Sequence, residues 1–240
     1  MPVLRAYALP HPPLAVPPVG RGEENKIQAT LSAFDEVAFE VAALAPETIV
    51  FVTPHNVLYA DYFHISPGKG TKGSFARFDA PETRFEVEYD AELAGEIAEH
   101  AKKNGLPAGP LGGKDAKLDH GVMVPLWFIN RRCREYRAVR ISQSGMDAVA
   151  HYRLGQCIAQ AAGRRRVVLV ASGDLSHKLP GSSYGSVPEG AAFRRVTQQN
   201  NSYQTLCFLL MTAFPAQRSI GRISKRRLPL WKPDASKTSS

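Results

Sequence analysis

Apolar positions along the chain recur with two different periods, and the switches between them outline the fold. Residues 3–9 (VLRAYAL) read as a short strand that runs into a proline-rich loop, PHPPLAVPPVGRG. From Glu23 onward, Ile27, Leu31, Phe34, Val37, Val41 and Leu44 fall three or four residues apart, which predicts one apolar helix face closed by Pro46. Residues 48–52 (TIVFV) form a continuous apolar run, the mark of a strand covered on both sides, and this run empties into Thr53-Pro54-His55-Asn56. Residues 62–66 (YFHIS) and 85–89 (FEVEY) read as strands around PGKGTKG, which lacks the spacing of a phosphate-binding loop and is expected to be a surface turn. Asp90 is placed to cap a helix carrying Leu93 and Ile97, which Asn104-Gly105 ends. After the loop LDHG, the apolar stretch VMVPLWFIN is expected to be buried. Residues 136–141 (YRAVRI) then read as a strand, 147–162 as a helix and 166–171 (RVVLVA) as another buried strand. Strands alternating with helices predict an α/β fold: a central, mostly parallel or mixed sheet with helices on both faces.

That alternation gives the histidines their meaning. His11, His55 and His177 each stand at or just beyond the carboxyl end of an apolar strand, where open α/β sheets bind ligands. His120 stands in a fourth loop, just before a buried segment. A single loop histidine is usually a surface or hydrogen-bonded residue, but equivalent positions on three strands point to a common site. His64 inside a strand, His100 in the last turn of a helix and His151 within a helix have adequate structural explanations.

Composition narrows the chemistry. The 240 residues are 44% hydrophobic and 22% charged, as expected of a globular domain. No apolar run is long enough to span a membrane, and the early prolines break up any signal-peptide core. Cys133, Cys157 and Cys207 form no CxxC pair, which points to reduced thiols in a cytoplasmic protein. The net charge of +8 is confined to residues 193–240, where nine Lys or Arg face the single acid Asp234; residues 1–192 balance 21 basic against 21 acidic residues. Few aromatics are interleaved in that basic segment, so no nucleic-acid partner is expected.

Neutral imidazoles without cysteine suit iron, zinc, copper or nickel. Two histidines and a carboxylate on one face of Fe(II) would leave positions open for a catecholate and O2. A further imidazole, with an ordinary pKa of about 6.5, suits proton transfer near neutrality. Zinc hydrolysis is the other chemistry such a donor set allows.

Five segments carry a family resemblance: PHPPLAVPPVGRGEE, TIVFVTPHNVLYADYFHISPGKGTKG, KLDHGVMVPLWFIN, HYRLGQCI and RRVVLVASGDLSHKL. Together they resemble the LigB-type class III extradiol dioxygenases, and most closely the dioxygenase-like domain of AmmeMemoRadiSam system proteins. The resemblance implies a metal site at the strand carboxyl ends, with His11 and His55 as ligands of a non-haem Fe(II). It implies His177 as catalytic acid–base and His120 as a residue behind the metal ligands or on the substrate side. It also implies a small aromatic substrate, O2, homodimerisation and AmmeMemoRadiSam partner proteins.

The resemblance covers residues 1–192. In the family a glutamate downstream of SGDLSH, in a segment like AAECG, completes the iron site. Residues 193–240 contain no Glu, and Asp61, Asp119 and Asp174 stand elsewhere in the pattern. The change in charge and in likeness at one point predicts an atypical, frameshifted tail on a C-terminally incomplete domain. The competing expectation is a catalytically impaired metal- or partner-binding relative.

Overall fold

The computed structural model describes residues 3–111 and 117–173. Asp174, His177 and residues 193–240 lie outside the described residues. The elements run β1 (Val3–Leu9), α1 (Pro17–Gly20), α2 (Gln28–Leu44), β2 (Thr48–Thr53), β3 (Phe63–His64), β4 (Gly70–Phe75), β5 (Ala80–Glu88) and α3 (Ala91–Lys103). They continue with β6 (Ala108–Gly109), α4 (His120–Ile129), β7 (Arg137–Ser142), α5 (Ala148–Ala162) and β8 (Val167–Ser172).

The central sheet has the order β1-β8-β2-β7, and every neighbouring pair in it is parallel. Period-two alternation divides its side chains between two cores. Ile49, Phe51, Val168 and Val170 pack with Phe34, Val37 and Val41 of α2 and with the apolar α4. Val50, Val52, Val167 and Leu169 face the other way, against Leu93 and Ile97 of α3 and Leu154 and Ile158 of α5. β2 and β8 are buried along their whole length, which explains why they read as unbroken apolar runs. The expected α/β fold, with helices on both faces of a parallel sheet, is the observed one.

Two helix starts follow their caps. The carboxylate of Asp90 accepts the Leu93 N–H at 3.1 Å, and that of Asp147 accepts the Ala150 N–H at 2.8 Å. The loop PGKGTKG departs from expectation. Gly70–Phe75 is a strand, paired antiparallel with Ala80–Glu88. Only Phe75 in it is buried, so the ladder is held by backbone pairing and by Phe75 at its inner end, whose ring centroid lies 5.9 Å from that of Phe78 and 5.8 Å from that of Phe85. A strand of that kind leaves no apolar period to read. The strand expected at residues 62–66 shrinks to Phe63–His64.

His151 is fully buried on α5, its ring edge-on to Phe63 at 4.7 Å. Its Nδ1 donates to the Asp147 carbonyl at 2.9 Å, and its Nε2 has no hydrogen-bond partner among the described residues. Burial pushes its pKa below the usual value of 6.5. The unfolded chain therefore takes up a proton that the folded chain resists. Its stabilising contribution is complete above the unfolded pKa and is lost as pH falls below it toward the depressed folded value. Thermal unfolding measured between pH 7.5 and pH 5 should show wild-type Tm falling faster than that of His151→Gln. Parallel curves would contradict this.

Candidate metal centre

Three side chains meet at the carboxyl rim of the sheet. β1 ends at Leu9 and delivers buried His11; β2 ends at Thr53 and delivers exposed His55; half-buried His120 is the first residue of α4. One nitrogen from each ring lies within 4.8 Å of the others. The Nε2 atoms of His11 and His55 are 3.0 Å apart, with the rings edge to face at 87°. His120 packs beside His55 with ring centroids 4.0 Å apart, and Phe78 backs it from the hairpin at 5.4 Å.

The donor set fits a divalent cation. Metal–imidazole bonds of about 2.1 Å at roughly right angles place cis nitrogens about 3.0 Å apart. The His11–His55 separation equals that spacing, and uncharged nitrogen donors are those that iron, zinc, copper and nickel take.

Behind the imidazoles lies a polar network that holds their loops. Arg140 points from β7 into the interior with its side chain 1% exposed, and it faces the Asp119 carboxylate, 8% exposed, at 3.4 Å. Arg140 also donates to the Lys117 carbonyl at 3.2 Å and to the Ser66 hydroxyl at 3.0 Å. Asn56, next to His55, donates to the same hydroxyl at 3.1 Å. The second oxygen of Asp119 accepts from the Thr53 hydroxyl at 2.6 Å, and Thr53 Oγ1 in turn accepts the His55 N–H at 3.2 Å. One buried cation thus ties Asp119, the residue before His120, to Thr53 and Asn56 on either side of His55. Asp119 stands at the helix N-cap yet makes no capping bond, because its oxygens are committed to this network. It is therefore not disposed as a replacement ligand, and Asp61 is exposed on a loop.

Close packing constrains the same region. A Cβ at Gly121 would lie 2.5 Å from Thr53 Oγ1 and 2.9 Å from Asp119 Oδ1, so this helical position has room only for glycine. Ser172, the last residue of β8, lies 2.8 Å from His11 Nδ1 and donates to the Gly121 carbonyl at 2.6 Å.

Of the histidines expected at the site, His11, His55 and His120 come together in the structure, and His177 lies outside the described residues. His64, His100 and His151 stand on β3, α3 and α5, outside the group. Arg140, Thr53 and Ser172 were not singled out. The available signal for Arg140 was a charged residue at an inward position of an apolar strand.

These features define a class: an α/β protein with a parallel central sheet and, at its strand ends, a histidine group that could hold a metal ion. The family described as the catalytic LigB subunit of aromatic ring-opening dioxygenase matches residues 5–202, and the chain belongs to it. LigB dioxygenases are metal-dependent, in keeping with a histidine group able to hold an ion. Among its relatives, Protein CA_C1420 of Clostridium acetobutylicum is 38% identical over 204 residues, 81% of this chain and 44% of that protein. A 2,3-dihydroxyphenylpropionate/2,3-dihydroxicinnamic acid 1,2-dioxygenase of Rhodococcus is 27% identical over 209 residues, 81% of this chain and 63% of that one. The 3,4-dihydroxyphenylacetate 2,3-dioxygenase of Escherichia coli is 26% identical over 160 residues, 63% of this chain and 57% of that one. The chain thus spans between 44% and 63% of the length of these relatives. Among the described residues no helix is long and apolar enough to cross a membrane.

Proposed function

We propose that the chain is a ring-cleavage dioxygenase that binds Fe(II) and opens a catechol-type aromatic with O2. The observation that carries this reading is the convergence of His11, His55 and His120 on the sheet rim of a LigB-family chain. His11 and His55 are the ligands. Fe(II) held there supplies a redox-active centre with open positions for a catecholate and O2. His177 takes the proton of a phenolic hydroxyl and returns it during ring opening, and His120, beside His55 and outside the two-ligand pair, assists that transfer from the substrate side. The two named relatives are dioxygenases of dihydroxyphenyl acids, so catechols with a short acidic side chain are the first substrates to try.

The test is anaerobic Fe(II) loading, removal of excess metal, and exposure to O2 with a panel of such catechols. At least one of them should give a yellow ring-fission product with stoichiometric O2 uptake. Bound iron with neither signal from any catechol would refute it.

One observation favours a second reading. The described metal-capable group contains no carboxylate, and the only acid after residue 192 is Asp234. On this reading the chain holds iron, zinc or another divalent metal without efficient ring cleavage and serves as a metal- or partner-binding component of an AmmeMemoRadiSam-type system. Metal analysis of anaerobically purified protein, with its oligomeric state, separates the two. The basic residues 193–240 fit a shifted reading frame, although the family match runs on to residue 202. Resequencing around codon 193 decides that point, and an unchanged frame there would rule it out.

A further inference from the structure

We propose that Pro125, a residue outside the histidine cluster, sets the tautomer of His11 through Gly121 and Ser172. The inference rests on the reading of His11 as a metal ligand. In an α-helix the carbonyl of residue 121 would accept the N–H of residue 125. Residue 125 lies inside α4 and is proline, which has no N–H, so the Gly121 carbonyl needs another donor. Ser172 supplies it, with Oγ 2.6 Å from the Gly121 oxygen.

A serine hydroxyl has one proton and two lone pairs, and a carbonyl oxygen only accepts. The Ser172 proton is therefore spent on Gly121. Toward His11 Nδ1, 2.8 Å away, the same hydroxyl is left only as an acceptor. Nδ1 must then carry the imidazole hydrogen. The neutral ring has one such hydrogen, so its lone pair sits on Nε2, the atom 3.0 Å from His55 Nε2. That is the atom a shared ion would engage. A hydrogen bond from the second nitrogen is what fixes ring orientation and basicity in histidine metal ligands. Here a proline one helical turn beyond Gly121 fixes it at a distance.

Restoring an N–H at residue 125 gives the Gly121 carbonyl its helical donor. Ser172 is then able to turn its proton toward His11 Nδ1, which moves the ring hydrogen to Nε2 and blocks the ligand position. Histidine-ring 15N NMR of the full chain, without added metal, reads the tautomer directly. The wild type should show His11 as the Nδ1–H form. Pro125→Ala should raise the Nε2–H population, Ser172→Ala should leave the ring mixed, and Ser172→Thr should restore the wild-type pattern, with His100 unchanged throughout. Co(II) titration followed by visible absorption should show affinity falling about tenfold in Pro125→Ala and about 10–100-fold in Ser172→Ala. Alanine is the better helix former, so Pro125→Ala is expected to fold, and Ser172→Thr serves as a second folded probe.

A wild-type His11 in the Nε2–H form, or tautomers indifferent to Pro125→Ala and Ser172→Ala, overturns the inference. Wild-type protein with Nδ1–H His11 but no Co(II) uptake instead overturns the metal reading and leaves the tautomer assignment standing.

Discussion

Replacing His11 or His55 with alanine is expected to lower Fe(II) affinity by at least about a hundredfold, more than the 10–100-fold that loss of a supporting partner brings. The two rings supply the nitrogen pair at 3.0 Å, and no carboxylate joins the described group to retain the ion. The two variants should differ in stability. His55 is exposed, so His55→Ala should change unfolding free energy by no more than about 0.5 kcal/mol. Buried His11 bonds to Ser172, and its loss leaves that hydroxyl short of a donor, costing about 1–3 kcal/mol. His120→Ala should keep most of the metal and lose ring cleavage, since its proposed work is to assist proton transfer. Anaerobic equilibrium dialysis against Fe(II), alongside denaturant unfolding, checks all three. Metal loss in His120→Ala equal to that in His55→Ala would make His120 a ligand instead.

The second large effect is expected at Arg140. Its ion pair with Asp119 is almost wholly out of water, with side chains 1% and 8% exposed. Removing one partner of such a pair leaves an uncompensated buried charge, at about 3–5 kcal/mol. Arg140→Met should therefore cost about that much in urea unfolding. The Arg140→Met, Asp119→Asn double variant should recover part of the loss, because it removes both charges. Arg140→Lys should fall between, since an ammonium cannot reach Ser66, Lys117 and Asp119 together. A double variant no more stable than Arg140→Met would show that the cost lies in lost packing and not in the orphaned carboxylate.

Much of this architecture was legible in the sequence because burial itself wrote the pattern. β2 and β8 lie between two helical layers and so read as unbroken apolar runs, whereas α2 and α3 each bury one stripe and read at helical spacing. The meeting of His11 and His55 was legible for a related reason: side chains just past the carboxyl ends of strands parallel in one sheet emerge at one rim, whereas His120 stood out only by its place in the loop before a buried segment. The hairpin strand Gly70–Phe75 was not, since its Gly/Lys-rich stretch buries little beyond Phe75 and leaves no period. Nor was the network behind the site. Arg140 meets Asp119 and Ser66 across 21 and 74 residues of chain, and Ser172 meets His11 across 161. Polar contacts of that range leave no local spacing to read, only the oddity of a charge or a proline where the surrounding pattern is apolar.

The most direct test of the central claim is extended X-ray absorption fine structure of the chain loaded anaerobically with one equivalent of Fe(II). The account predicts imidazole scattering from two histidines in the first shell, reduced to one in either His11→Ala or His55→Ala. A first shell of oxygen scatterers alone, or a wild-type spectrum unchanged in both variants, would contradict it.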